Sequence, residues 1–473
     1  MRKIRLLLAS AILVVASIAT ANAEKIDRKS VLERNNPKVT NADPLNSLSV
    51  GNGHFATTVD VTGMQSYPLN YQQGVPLCSM SDWGWHSFPN TENLRHEETE
   101  KVMDLGHGRK EVYAVEYKVD GRGKKATEYF RINPHRLNLG NVALVIKDGK
   151  GQIKEADIKD IDQQLDLYSG VITSRFSALG KPVTVKTACM PCEDAMIYSI
   201  NSHLLSSGKV SVCLSLPYPS GKHADAATDW GNEDKHASRI IKRTGKSALL
   251  EHIIDSTRYY VLIQWEGSAK LVHESTHSYA LIPNGKTLNV RVEYKELQPE
   301  TQGFSFAKSV IEVQKFWNSW WETGAFVDFG DCKDVRAKEL ERRTVLSQYL
   351  TFINCANETP AQETGLTYNS WFGRPHLEMT WWHTIDFSLW NRPEVLETML
   401  EWYNDKAYPE AKKIAERQNF KGIRWMKMTD PWAGESPSNV GSFLTWQQPH
   451  YIYMAEEMWR NVCAKPGVTE DEK

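Results

Sequence analysis

Two hydrophobic periods divide this chain. From about residue 30 to 300 the apolar positions come in short runs, such as His54-Phe-Ala-Thr-Thr-Val-Asp-Val61, Val142-Ala-Leu-Val-Ile146, Val171-Ile-Thr-Ser-Arg-Phe176, Val183-Thr-Val-Lys-Thr187 and Tyr259-Tyr-Val-Leu-Ile-Gln-Trp265. These runs mix β-branched and aromatic residues, and turn pairs such as Asp120-Gly121, Asp148-Gly149 and Asn284-Gly285 separate them. Many short strands over roughly 270 residues predict a large two-sheet β-sandwich. From Phe306 the period becomes helical. Residues 306–322 (FAKSVIEVQKFWNSWWE) predict a connecting helix, and 331–354 a second one capped by Asp331 or Asp334. Further helices are expected over 376–390, 393–403, 409–418 and 446–463, with Pro393 and Pro409 at first-turn positions. Gly- and Pro-rich loops at 369–375 and 429–437 join them.

The N-terminus sets an expected address. Arg2, Lys3 and Arg5 precede an apolar run from Leu6 to Ala19 and the small-residue site Ala21-Asn22-Ala23. This order predicts a cleavable signal peptide over residues 1–23 and a secreted or periplasmic protein. No Cys follows the cleavage site, which argues against a lipoprotein, and no later apolar run is long enough to span a membrane. A formal charge of -2 leaves no electrostatic footprint for nucleic acid or anionic lipid. Seven scattered Cys make no disulfide framework, and Cys189-Met-Pro-Cys192 follows a predicted strand, so packed thiols are favoured over a redox or metal pair.

Between Trp371 and Trp459 the chain packs nine of its sixteen Trp residues, interleaved with Glu378, His383, Asp386, Asp430, Glu435 and His450. Sugar rings present C–H faces that lie on indole, and their hydroxyls need charged or amide partners, so this composition suits a carbohydrate cleft. A Trp-rich helical core with solvated polar residues is the plainer alternative.

Several strings in order carry a family likeness. Leu48-Ser-Val-Gly-Asn-Gly-His-Phe55, Leu165-Asp-Leu-Tyr-Ser-Gly-Val-Ile172, the paired indoles of Trp317 to Trp321, Trp382-His-Thr-Ile385, and Lys421-Gly-Ile-Arg-Trp425 followed by Gly434-Glu435 all take part. Together they resemble the family-65 glycoside hydrolases and phosphorylases and their six-hairpin relatives, which join an N-terminal β-sandwich to an (α/α)₆ barrel. The resemblance implies a multidomain β plus α chain: sandwich over 24–303, linker helix over 304–325, and (α/α)₆-type toroid over 326–473. Twelve helices with loops need on the order of 300 residues. The toroid is therefore expected to be incomplete in residues 332–473. His383 stands where the family has Asp, so no Asp role is carried to that position.

Glycoside cleavage by inversion needs one carboxyl to protonate the leaving oxygen and another to activate water. Glu435 is the expected acid: it lies in a Gly/Pro-rich loop beside Trp432, and its place resembles the family's active-site loop. Its alternative role is to cap a helix or order the loop. Glu378 follows a Gly/Pro loop at a helix start, as a second carboxylate, a hydroxyl ligand, or an acid favoured by the helix dipole. Asp430 either joins the site or orders its own turn. His376, His383, Gln448 and His450 have the reach to bind hydroxyls, and Trp371, Trp382 and Trp432 are the expected platforms. The i, i+7 spacing of His376 and His383 is no zinc motif, and no phosphate loop, nucleophile elbow or Rossmann fingerprint occurs, so no metal or cofactor is expected. The sequence thus points first to an exported inverting glycoside hydrolase. A disaccharide phosphorylase and a non-catalytic glycan-binding chain are the alternatives.

Overall fold

A computed structural model describes residues 25–300 and 302–471, so the expected signal peptide lies outside the described residues. The β half is dominated by a nine-stranded antiparallel sheet. Its middle is built by Lys181–Cys189, Ala195–Asn201, Thr287–Lys295 and Thr257–Glu266. The two-residue period of the sequence is visible in burial: along Val171–Ala178, Ile172, Ser174, Phe176 and Ala178 point inward while Arg175 stays exposed. A four-stranded sheet, with Asn141–Ile146 and Val210–Ser215 paired at its edge, shares one apolar cluster with the large sheet. Leu144, Val212 and Leu281 of the smaller sheet join Val185, Ile197 and Val292 of the larger in that cluster.

Two helices clamp this core. Phe306–Glu322 forms where the period placed it and buries Trp317 and Trp321. Trp321 Nε1 donates to the Leu167 carbonyl at 2.7 Å, and Gly170 is left-handed with no room for a Cβ against the Trp317 indole. The Leu-Asp-Leu-Tyr-Ser-Gly string is thus the floor on which the linker helix sits. Ala337–Cys355 packs Val345, Tyr349 and Ile353 into the same cluster, and Tyr349 donates to the Ser49 carbonyl at 3.0 Å. At Gly51 a Cβ would crowd Ala56 and Ile353, which explains the Gly-Asn-Gly turn. The second helix starts at Ala337 and not near Asp331, because Asp334 accepts from Arg336 N and Ala337 N and closes a turn first.

The helical half has a smaller core of its own, including Leu377, Leu396, Met399, Trp402, Tyr403, Trp425 and Met454. It is made by Leu377–Leu389, Pro393–Trp402, Tyr408–Arg417 and His450–Ala464. The two middle helices, expected as separate, run into each other through a wide turn at Tyr403–Ala407. Pro409 brings no N–H to the ladder, and Tyr408 N reaches back to the Tyr403 carbonyl. The last helix begins at His450, directly after Pro449, and not at Trp446.

One helix was not legible. Arg122–Ile132 follows the Asp120-Gly121 pair read as a turn. It buries only Ala126 and Thr127, so its apolar stripe is too thin to register. It is tied down by its polar side, through Arg122 to Glu98 at 2.7 Å and Arg131 to Glu116 at 3.0 Å. Among the described residues no helix is long and apolar enough to cross a membrane.

Candidate active site

A cavity of about 450 Å³ opens where the β and helical halves meet. Its β wall comes from the turn His96–Thr99, the strand start at Glu100 and the helix Arg122–Ile132 through Phe130. The helical wall comes from Tyr408–Arg417 and the loop ending at Glu435. The Gly-Arg-Pro loop fixes their relation. Buried Arg374 donates to the carbonyls of Arg131 at 2.9 Å, Phe130 at 2.6 Å and Asn133. Burial pulls its guanidinium down to about 10.

Glu435 lines that cavity with its side chain 4% exposed. Oε2 lies 2.7 Å from Arg417 Nη2, and His96 Nε2 donates to the Glu435 carbonyl at 2.9 Å. Burial raises the Glu435 carboxyl above its ordinary value, against the pull of Arg417 and His96. Asp430 builds the turn that presents it, since its Oδ1 accepts from Trp432 N at 2.8 Å and Gly434 N at 2.7 Å. A Cβ at Gly434 would strike the Asp430 carboxylate, so glycine is required there. The same turn throws Trp432 outward, where it is 64% exposed.

A second cluster gathers at the start of Leu377–Leu389. Fully buried His376 accepts from Lys427 Nζ at 3.0 Å, and Glu378 Oε2 is 3.2 Å from the same ammonium. Lys427 also stands over the Trp371 ring, 4.3 Å from its centroid. Burial, then the neighbouring ammonium, push His376 down to about 3. The ring is therefore neutral, with Nε2 as acceptor and the proton on Nδ1. Trp371 and Phe372 are both left-handed, at φ 48° and 61°. Such a pair costs on the order of 1–3 kcal/mol per residue and must be held from outside. It is held by the β half: Ala224–Asp225 pairs with Asn369–Ser370, Phe372 N donates to the His223 carbonyl at 3.1 Å, and the His223 ring packs 4.5 Å from Trp371.

The remaining expected residues flank these two groups. His383 Nε2 donates to the Glu363 carbonyl at 3.3 Å, and burial lowers the ring to about 4. His450 Nδ1 donates to the Leu377 carbonyl at 3.3 Å, and its ring lies near Trp381. Gln448 spends both ends of its amide on the Trp425 backbone. Trp382 is 59% exposed on the first turns of its helix. Glu378 and Glu435, expected as a pair, are held by different cations, and Glu435 lines the cavity while Glu378 is not part of its wall. Arg417, Lys427, Glu100, His96 and His223 were not read as site residues. Lys427, three residues before Asp430, was within sight of the motif; Glu100, His96 and His223 carry no local signal, since they reach the site across the domain junction.

No family model and no curated protein matches this sequence. Solved structures do match. A human-microbiome protein assigned as a kojibiose phosphorylase is 13% identical at a TM-score of 0.59, over 89% of this chain and 55% of its own. The fold is of that kind, in divergent form. The motif resemblance to the family-65 group is therefore borne out in the architecture of mixed sheet and helix with one large sheet. A bacterial glucoamylase solved with acarbose is also similar, 10% identical at a TM-score of 0.46, over 90% of this chain and 59% of its own. The chain spans little more than half the length of either structure.

Proposed function

We propose that this chain is an exported carbohydrate-active enzyme that hydrolyses a glycosidic bond of a di- or oligosaccharide with inversion, Glu435 being the general acid. The observation that carries the proposal is the setting of Glu435: a buried carboxyl with a raised proton affinity, at the wall of a cavity of about 450 Å³. That volume lies within the usual range for a small-ligand site. The upward shift caused by burial favours the protonated form that the leaving oxygen requires. Exposed Trp432, carried on the turn that presents Glu435, offers an apolar face for a sugar ring. Fold likeness to a protein named for phosphorolysis supports the reaction class by association only.

A second reading uses phosphate as the nucleophile. Its cations would be Lys413 and Arg417 at the cavity wall, released from Glu410 and from Glu435 and Glu100 as phosphate binds. The test is product analysis by NMR on α- and β-linked glucose disaccharides, kojibiose included, with and without phosphate. Phosphate-independent cleavage by the wild type that falls at least ~100-fold in Glu435→Gln supports the hydrolase. Cleavage only with phosphate selects the second reading, and unchanged turnover in Glu435→Gln removes the acid role.

A further inference from the structure

The Arg417 guanidinium lies between two carboxylates, and its two contacts differ in kind. Nη1 donates to Glu100 Oε1 at 3.0 Å, a well-formed hydrogen bond. Nη2 is 2.7 Å from Glu435 Oε2, yet neither that nitrogen nor either Glu435 carboxyl oxygen makes an aligned hydrogen bond. Both Glu435 oxygens are closed off from solvent. No sugar oxygen reaches the acid in this arrangement, so a group must move before Glu435 can act.

Arg417 is the group free to move. Glu100 is fixed through its backbone, by its pairing with Ala114 and by Tyr117 Oη donating to its carbonyl at 2.8 Å. Glu435 is fixed by His96 on its carbonyl and by the Asp430 turn. Arg417 instead ends the helix Tyr408–Arg417 and reaches the junction on a long side chain, 18% exposed. The neighbouring charges are committed elsewhere. Arg424 donates to the Ser442 carbonyl at 2.7 Å, Arg374 to carbonyls of the β half, and Lys413 to Glu410 at 2.7 Å. Glu97 stands exposed at the cavity rim.

Charge decides where the guanidinium rests. A buried carboxylate without a counter-charge is costly, so ionised Glu435 holds Arg417 against itself. Once Glu435 takes up a proton that attraction is gone. The carboxylate that remains for Arg417 is Glu100, which is 25% exposed and closer to water. We propose that Arg417 is a gate over Glu435 with two seats: against Glu435 while that acid is ionised, and on Glu100 alone once it is protonated. Glu100 is then a positioning residue, and the acid is uncovered only in the form able to protonate a leaving oxygen. What the gate serves rests on the hydrolase reading given above.

The test labels carboxyls of the purified protein with a water-soluble carbodiimide and glycine ethyl ester, and follows Glu435 by peptide mass spectrometry across pH. The midpoint of that profile reports protonation, and its acid plateau reports access. Glu100→Gln removes the outer seat, so the plateau at Glu435 should fall at least ~3-fold. Removing the gate as well, by adding Arg417→Met to Glu100→Gln, should restore it. Glu100→Asp keeps the charge but draws the seat back by a methylene, and should lower the plateau with little change in midpoint. That variant decides the matter should Glu100→Gln not fold. Equal plateaus throughout, with only the midpoints displaced, overturn the gate. Disaccharide turnover is measured on the same proteins, and kcat/KM should fall and recover with the plateau. Wild type without turnover, or Glu435→Gln turning over unchanged, sinks the hydrolase reading and leaves the gate to be judged by the labelling.

Discussion

Lys427 Nζ and His376 Nε2 lie 3.0 Å apart in a buried contact, with the ammonium also facing Glu378 and the Trp371 ring. Burial, and after it the ammonium, keeps His376 neutral, and the Glu378 carboxylate faces the ammonium from the other side. Lys427→Met would leave Glu378 facing an apolar group in a largely dry setting. We expect a loss of about 2–4 kcal/mol in stability, seen as a lower urea midpoint, together with a change in Trp emission from Trp371. An unchanged midpoint would mean that water reaches Glu378 freely.

Gly170 is required by geometry. Its φ of 68° is left-handed, and a Cβ would overlap the Trp317 indole. Gly170→Ala should destabilise the chain by about 2–4 kcal/mol, because either the linker helix or the turn must shift. Differential scanning calorimetry would show it, and a transition within a degree of wild type would contradict the packing described.

Stability should fall in acid through a relay of rings in the large sheet. Tyr259 donates to the Leu139 carbonyl at 2.8 Å, His252 Nδ1 donates to the Tyr259 oxygen at 2.7 Å, and His236 Nδ1 donates to His252 Nε2 at 2.7 Å. Burial lowers His236 to about 4 and His252 well below its ordinary value. Folded values below the unfolded value of about 6.5 mean that the unfolded chain binds more protons in acid. The contribution is therefore complete above pH ~6.5 and is lost as pH falls towards 4. Urea midpoints at several pH values should show this decline, with a shallower slope in His236→Gln. Identical slopes would remove His236 from the linkage.

Trp432 offers the opposite case. At 64% exposure it supports little of the fold, so Trp432→Ala should change stability by no more than about 0.5 kcal/mol. If it is a sugar platform, oligosaccharide affinity by titration calorimetry should drop about three- to tenfold. Unchanged affinity would assign the ring to another surface.

The sequence by itself determined the two periods, and with them most elements. Alternation along Val171–Ala178 and helical spacing along Phe306–Glu322 are local properties, set by which side chains must leave water. Gly51, Gly170 and Gly434 stand in strings that carry the family likeness, and only packing shows that each is a tight point. The Glu435 loop was legible as a place, because its Gly, Pro and Trp residues are unusual together. The helix Arg122–Ile132 was not, since its stability comes from ion pairs and distant carbonyls and not from an apolar stripe. Only the tertiary structure decided which charges share the cavity. Glu100 and Glu435 are 335 positions apart and meet on Arg417, while Glu378, nearer in the chain, is drawn to Lys427. Burial then raises the proton affinity of Glu435, and burial is a property of the packed halves, not of any segment read alone.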